Sequence, residues 1–193
     1  VTKPIKLESD EVAKLKLKIS HLEGQIAELK VNAGITEPRI KKLKLQRDDK
    51  GNDRIAITYQ SLTPDGDWDN SSISRKAAAR PQFYHALEDL APYVCLICEL
   101  DPDYKEEMSI IGVSFSYSDE DVPVMGATIT AQKKLETATS PLILNTPHKS
   151  AQPYGGGEDD SNCFDEKTVQ ALNRVSEECQ RYLRGERAQL SFL

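Results

Sequence analysis

The chain has 193 residues, with 25 Lys and Arg against 31 Asp and Glu, a formal net charge of −6 and 38% hydrophobic residues. A net-acidic chain is not built for indiscriminate phosphate binding, and no run approaches the roughly 18 apolar residues of a membrane span. The length suits one globular domain with extensions, and the opening residues, VTKPIKLESDE, lack an apolar signal core, so a cytoplasmic location is the expectation.

Residues 1–34 carry a heptad stripe. Val12, Leu15, Ile19, Leu22, Ile26 and Leu29 are spaced 3-4-3-4-3, with branched residues at every a position and Leu at every d. That pairing of shapes favours a parallel two-stranded coiled coil, hence a homodimer. The flanking charges agree, since Glu11 would face Lys16 and Lys18 would face Glu23 of a partner helix. Gly34 supplies a stop.

From residue 35 to 144 the pattern predicts an α+β core domain. RIKKLKLQR alternates Leu43 and Leu45 with polar residues, DDKGND is a hairpin loop, and RIAITYQSL puts Ile55, Ile57 and Tyr59 on one face. TPDGD turns, and the polar WDNSSIS reads as an edge strand. Pro81 opens a helix with Phe83, Leu87, Leu90, Val94 and Ile97 inward, kinked or divided by Pro92 near Leu90. MSIIGVSFSYS alternates Ile111, Val113, Phe115 and Tyr117, and VMGATITAQKKL alternates Ala127, Ile129 and Ala131. The simple solution is an antiparallel sheet of about five strands, ordered meander, helix, hairpin, with the helix packed on one face. The prolines, three consecutive glycines and acidic run of residues 145–162 predict a linker, though Leu142 to Leu144 can still dock on the core. A C-terminal helix spans 163–187, with Val169, Leu172, Val175, Cys179 and Tyr182 inward, Asp165 and Glu166 at its start and Gly185 at its end. Residues 188–193 form a hydrophobic tail motif.

Motifs for chemistry are sparse, and nothing asks for a catalytic set, a metal or a cofactor. Cys95 and Cys98 form a C-x-x-C, but among Val, Leu and Ile at helical spacing they read as small core hydrophobes, with no second pair to complete a zinc site. His148 in NTPHKS is the one imidazole in a polar loop, and a small enzyme or nucleotide binder built on it is a minor alternative. The basic strand is the stronger alternative. Arg39, Lys41, Lys42, Lys44 and Arg47 lie within nine positions and could track a phosphate backbone, with Tyr59 or Trp68 stacking a base. Against it, strict alternation puts Arg39 and Lys41 on the same face as Leu43 and Leu45, which divides the charge.

The last residues carry the main functional expectation. Gln189, Leu190, Ser191, Phe192 and Leu193 resemble the bacterial sliding-clamp-binding motif, whose usual form is Gln-Leu-Ser/Asp-Leu-Phe; the final pair is inverted here. The resemblance implies Gln189 as polar anchor, Leu190 as first apolar plug, and Phe192 with Leu193 as the terminal pair. PRIKKLKLQRDDKGNDRIAITYQSL, GVSFSY, MGATITAQKKL, LNTPHK and GERAQ together resemble a family of uncharacterised bacteriophage and prophage proteins over residues 35–193. That setting implies a non-enzymatic accessory protein of DNA replication or recombination that docks on the clamp through its tail. Rival expectations are a nucleic-acid-binding module using residues 39–47 and a virion structural protein.

Overall fold

The computed structural model describes residues 37–47, 53–119, 123–153 and 160–188. The heptad residues Val12 to Leu29 and the motif Gln189 to Leu193 lie outside the described residues.

Among the described residues seven strands form one antiparallel sheet: β1 (Arg39–Arg47), β2 (Asp53–Leu62), β3 (Trp68–Arg75), β4 (Met108–Tyr117), β5 (Met125–Lys133), β6 (Leu142–Asn145) and β7 (Lys149–Ser150). The spatial order is β3-β2-β1-β4-β5-β6, with β7 also pairing β5. Helices α1 (Pro81–Glu88), α2 (Ala91–Ile97) and α3 (Glu166–Leu183) accompany it, with a 3-10 turn at Pro102–Glu107. The α+β class and the meander hold as read from sequence. About five strands were expected, and the two further ones are β6 and β7. They are four and two residues long, too short for a period-two signal.

Part of the expected linker belongs to the sheet. Ile129 and Thr146 exchange bonds: the Thr146 N–H donates to the Ile129 carbonyl, and the Ile129 N–H donates to Thr146 Oγ1, both at 2.9 Å. Lys149 and Ser150 pair with Ala127 and Gly126. Prolines at 141, 147 and 153 lack a donor N–H, so they flank these short pairings and hide them in the composition.

One face of the sheet is covered by helices and holds the core. Ile40, Leu43, Ile55, Ile57, Val113, Phe115, Ala127, Ile129 and Ala131 meet Phe83, Leu87, Leu90, Val94, Leu172, Val175, Cys179 and Tyr182. Two bulges decide which residues face inward. Ile40 pairs with Tyr59 and Lys42 with Thr58, so Lys41 is an extra residue in β1. Ile110 pairs with Ala131 and Gly112 with Thr130, so Ile111 is an extra residue in β4. Each bulge exchanges the faces on its far side. Ile110, not Ile111, therefore joins Val113 inside, and Arg39 leaves the face of Leu43 and Leu45. Both outcomes correct the simple alternation.

Pro81 opens α1 and Pro92 sits in the first turn of α2, where a missing N–H costs nothing. The break falls at Leu90, which is fully buried. Helix α2 ends on Glu99 with φ 54°, a left-handed position normally given to glycine. Asp165 caps α3 by accepting from the Thr168 N–H at 2.7 Å, and Gly185, φ 94°, ends it. The stripe of α3 is Thr168, Ala171, Leu172, Val175, Cys179 and Tyr182, with Val169 half-buried. Its C-terminal part grips the connector between β3 and α1. The Tyr182 hydroxyl donates to the Ala77 carbonyl at 2.6 Å, and Arg80 Nη2 donates to both Glu178 oxygens at 2.9 and 3.0 Å.

Leu172→Ala is expected to lower unfolding free energy by about 2–5 kcal/mol through the cavity it leaves. Glu99→Gly is expected to raise it by about 0.5–1 kcal/mol, because glycine takes a left-handed φ without Cβ strain. Urea denaturation followed by circular dichroism reads both.

Candidate nucleic-acid interface

The face of the sheet opposite the helices is uncovered among the described residues, and its composition can be read from the register. One row across the strands is Ser72, Thr58, Lys42, Ser114 and Thr128; the next is Ser74, Ala56, Lys44, Gly112, Thr130 and Asn145. Gln46 and Arg54 pair beyond them, and Arg39 pairs with Gln60 on the other side. No Asp or Glu occupies any of these positions. Glycine 112 leaves bare backbone in its row, since a Cβ there would lie 2.9 Å from the Leu43 carbonyl oxygen.

The bulge at Lys41 gathers Arg39, Lys42 and Lys44 on this one face. The expected division of charge over both faces is therefore overturned, because the extra residue breaks the alternation on which it rested. Lys41 itself lies in the bulge, its Nζ 5.4 Å from the Tyr117 ring centroid. Arg47 ends β1 opposite Asp53, and its side chain lies outside the described residues. Tyr59 packs against the core and is withdrawn from this face. Trp68 lies on it, with the Arg39 guanidinium carbon 3.9 Å from the indole centroid.

Arg54, Ser116 and Gly126 were missed by the sequence reading, which had His148 only as an imidazole in a polar loop. Arg54 donates to Ser74 Oγ at 3.3 Å. His148 Nε2 lies 2.8 Å from Ser116 Oγ, and a Cβ on Gly126 would fall 2.6 Å from that nitrogen. A glycine inside a strand pattern was the available signal, since it marks close approach of another group.

The two sides of the molecule treat charge differently. On the helical side several arginines are paired: Arg80 with Glu178 and Glu186, Arg174 with Asp89, Arg184 with Glu37 and Glu186. On the open face Arg39, Lys42, Lys44 and Arg54 make no ion pair with a carboxylate among the described residues. Cations held on a flat surface of hydroxyls and amides, without internal counter-charge, suit an extended polyanion.

Among the described residues no group of three or more His, Cys, Asp or Glu side chains is placed to hold a metal ion. Cys95 is buried on α2 and Cys98 half-buried just beyond it, as the core reading of C-x-x-C expects. A shallow cleft of about 680 Å3, lined by Leu45, Gln46, Tyr84, Ile110, Ile111 and Pro141 among others, gathers no carboxylate, imidazole or thiol. Among the described residues no helix is long and apolar enough to cross a membrane. Comparisons with protein-family models, curated proteins and solved structures give no match.

Burial pushes the thiol of Cys179 far up, with the Glu178 carboxylate adding to it. Burial also raises the Tyr117 and Tyr182 phenols. These groups hold their protons more tightly folded than unfolded, so their contribution is complete below the unfolded values, about 8.5 for Cys and 10 for Tyr. Stability is expected to fall as pH rises from about 8.5 toward 10.5, measured by urea midpoints across that range. Cys179→Ala should flatten the first part of the decline.

Proposed function

We propose that the protein is a non-enzymatic accessory factor of DNA replication or recombination that binds nucleic acid through the open face of its sheet. The observation that carries this reading is the sorting of charge. Arg39, Lys42, Lys44 and Arg54 stand together without a described carboxylate partner, whereas Arg80, Arg174 and Arg184 across the molecule each have one. A surface meant only for solubility mixes both signs. The hydroxyls and amides between the cations add neutral donors to phosphate oxygens. The net charge of −6 does not oppose this, because a helix about 10–12 Å across stands between the outer helical surface and the open face, and charge is screened over about 8 Å.

Clamp docking by Gln189 to Leu193 is a second reading, and one contact favours it. The Ala188 N–H donates to the Ala78 carbonyl at 3.2 Å, and Arg187 bridges to Ala79. The motif thus begins one residue after a fixed attachment to the domain. A homodimer formed through Val12 to Leu29 would present two such motifs to a two-subunit ring, and bivalence would raise avidity by roughly 100-fold if the spans match.

Fluorescence anisotropy with a labelled 20-nucleotide DNA over a salt series tests the first reading. Lys42→Ala with Lys44→Ala should weaken binding by about tenfold and reduce the slope of log K against log salt by about 1.4, two single-strand phosphate contacts. Arg174→Ala, on the helical side, should leave both unchanged. Absence of binding at low salt would refute the reading. Clamp titration with the full chain and with a chain ending at Ala188 tests the second, and equal affinities would remove it.

A further inference from the structure

We infer that the open face takes a single strand in preference to a duplex, with its bases on a row formed by Arg39, Trp68 and His148 and its phosphates on Lys42 and Lys44. This rests on the nucleic-acid reading above and assigns the form of the ligand and its orientation.

Two planar groups stand at one end of the open face. The Arg39 guanidinium lies over Trp68, its carbon 3.9 Å from the indole centroid, and 5.5 Å from the Tyr117 centroid. A guanidinium backed by an indole is a flat, cationic surface on which a base can stack. The second planar group is the His148 imidazole. Its Nε2 is held by Ser116 Oγ, and its Nε2 and Cε1 would lie 2.6 and 2.8 Å from a Cβ on Gly126. The ring is therefore seated in space that only glycine leaves, yet His148 stays exposed. Ser116 pairs with Gly126, and Ser114, two residues along β4, pairs with Lys42, so His148 and Arg39 sit toward the same strand ends. From Trp68 on β3 to Gly126 on β5 is four strand steps, about 19 Å. That is room for a few nucleotides.

The polarity follows from charge. Lys42 and Lys44 lie progressively farther from this end, about 6.6 Å per two residues. The turns that bound the planar row carry exposed Asp65, Asp67 and Asp119. Phosphates are repelled from those turns and drawn to the lysine rows, which leaves the bases over Arg39 and His148. A duplex keeps its bases stacked internally and could use none of this platform. Nor does a flat sheet face offer a helix or ribbon to enter a groove.

The test compares a labelled dT20 with a 20-base-pair duplex on the full chain at one salt concentration. The single strand is expected to bind at least tenfold more tightly. Trp68, the chain's one tryptophan, should change its fluorescence on titration with dT20. His148→Ala and Trp68→Ala should each cost about 5- to 100-fold, the range for one lost stacking contact. Gly126→Ala should give a similar loss by displacing the imidazole without altering it. Circular dichroism checks that each variant is folded, and His148→Ala carries the test if Gly126→Ala is not. Equal binding of both probes, lysine-dependent but indifferent to His148→Ala and without a tryptophan response, would overturn this inference and leave the nucleic-acid reading standing. Binding of neither probe would overturn both.

Discussion

Side chains on a strand alternate strictly between two faces, and one inserted residue exchanges them. The structure turns on two such insertions, Lys41 in β1 and Ile111 in β4. The first lets Ile40 and Leu43 both point into the core although an odd number of bonds separates them, and it sends Arg39 to join Lys42 and Lys44. The second does the same for Ile110 and Val113. Without them β1 would bury either a cation or a polar backbone segment at one end. The hydrophobic layer and the cationic surface are two results of one irregularity.

Distance then keeps the two surfaces electrically separate. A helix is about 10–12 Å across and the screening length at physiological salt is about 8 Å. Carboxylates on the outer sides of α1 and α3 act on their own neighbours, as in Arg174 with Asp89 at 3.1 Å, and only weakly on phosphate approaching the other side. Formal net charge is a poor guide when a layered fold sorts its charges by face. The same argument identifies the acidic turns bearing Asp65, Asp67 and Asp119 as the charges that matter, because they border the open face directly.

Much of the fold was legible in the sequence. Long period-two runs located β1, β2, β4 and β5, and Pro81, Pro92, Asp165 and Gly185 marked helix boundaries for reasons of donor loss, capping and φ. The short strands β6 and β7 escaped because their pairing depends on Thr146 and Ser150 finding partners on β5, which no local pattern encodes. The site was half legible. Five cations in nine positions were visible, but the common face of Arg39, Lys42 and Lys44 depended on a bulge, which residue spacing does not encode. His148 was noticed as a loop imidazole, while its seat on Gly126 and its bond to Ser116 join residues 22 and 32 positions away.

The grip of α3 on the β3–α1 connector has a consequence for how the chain is made. Tyr182 reaches Ala77 across 105 positions, Arg80 reaches Glu178 across 98, and Gln180 reaches the Pro38 carbonyl across 142. Contacts of such separation form late, because loop closure must precede their reward. On the ribosome the sheet emerges with α1 and α2, and the part of its apolar face that α3 covers stays bare until α3 leaves the exit tunnel. During that interval the nascent chain is a natural client for a holding chaperone.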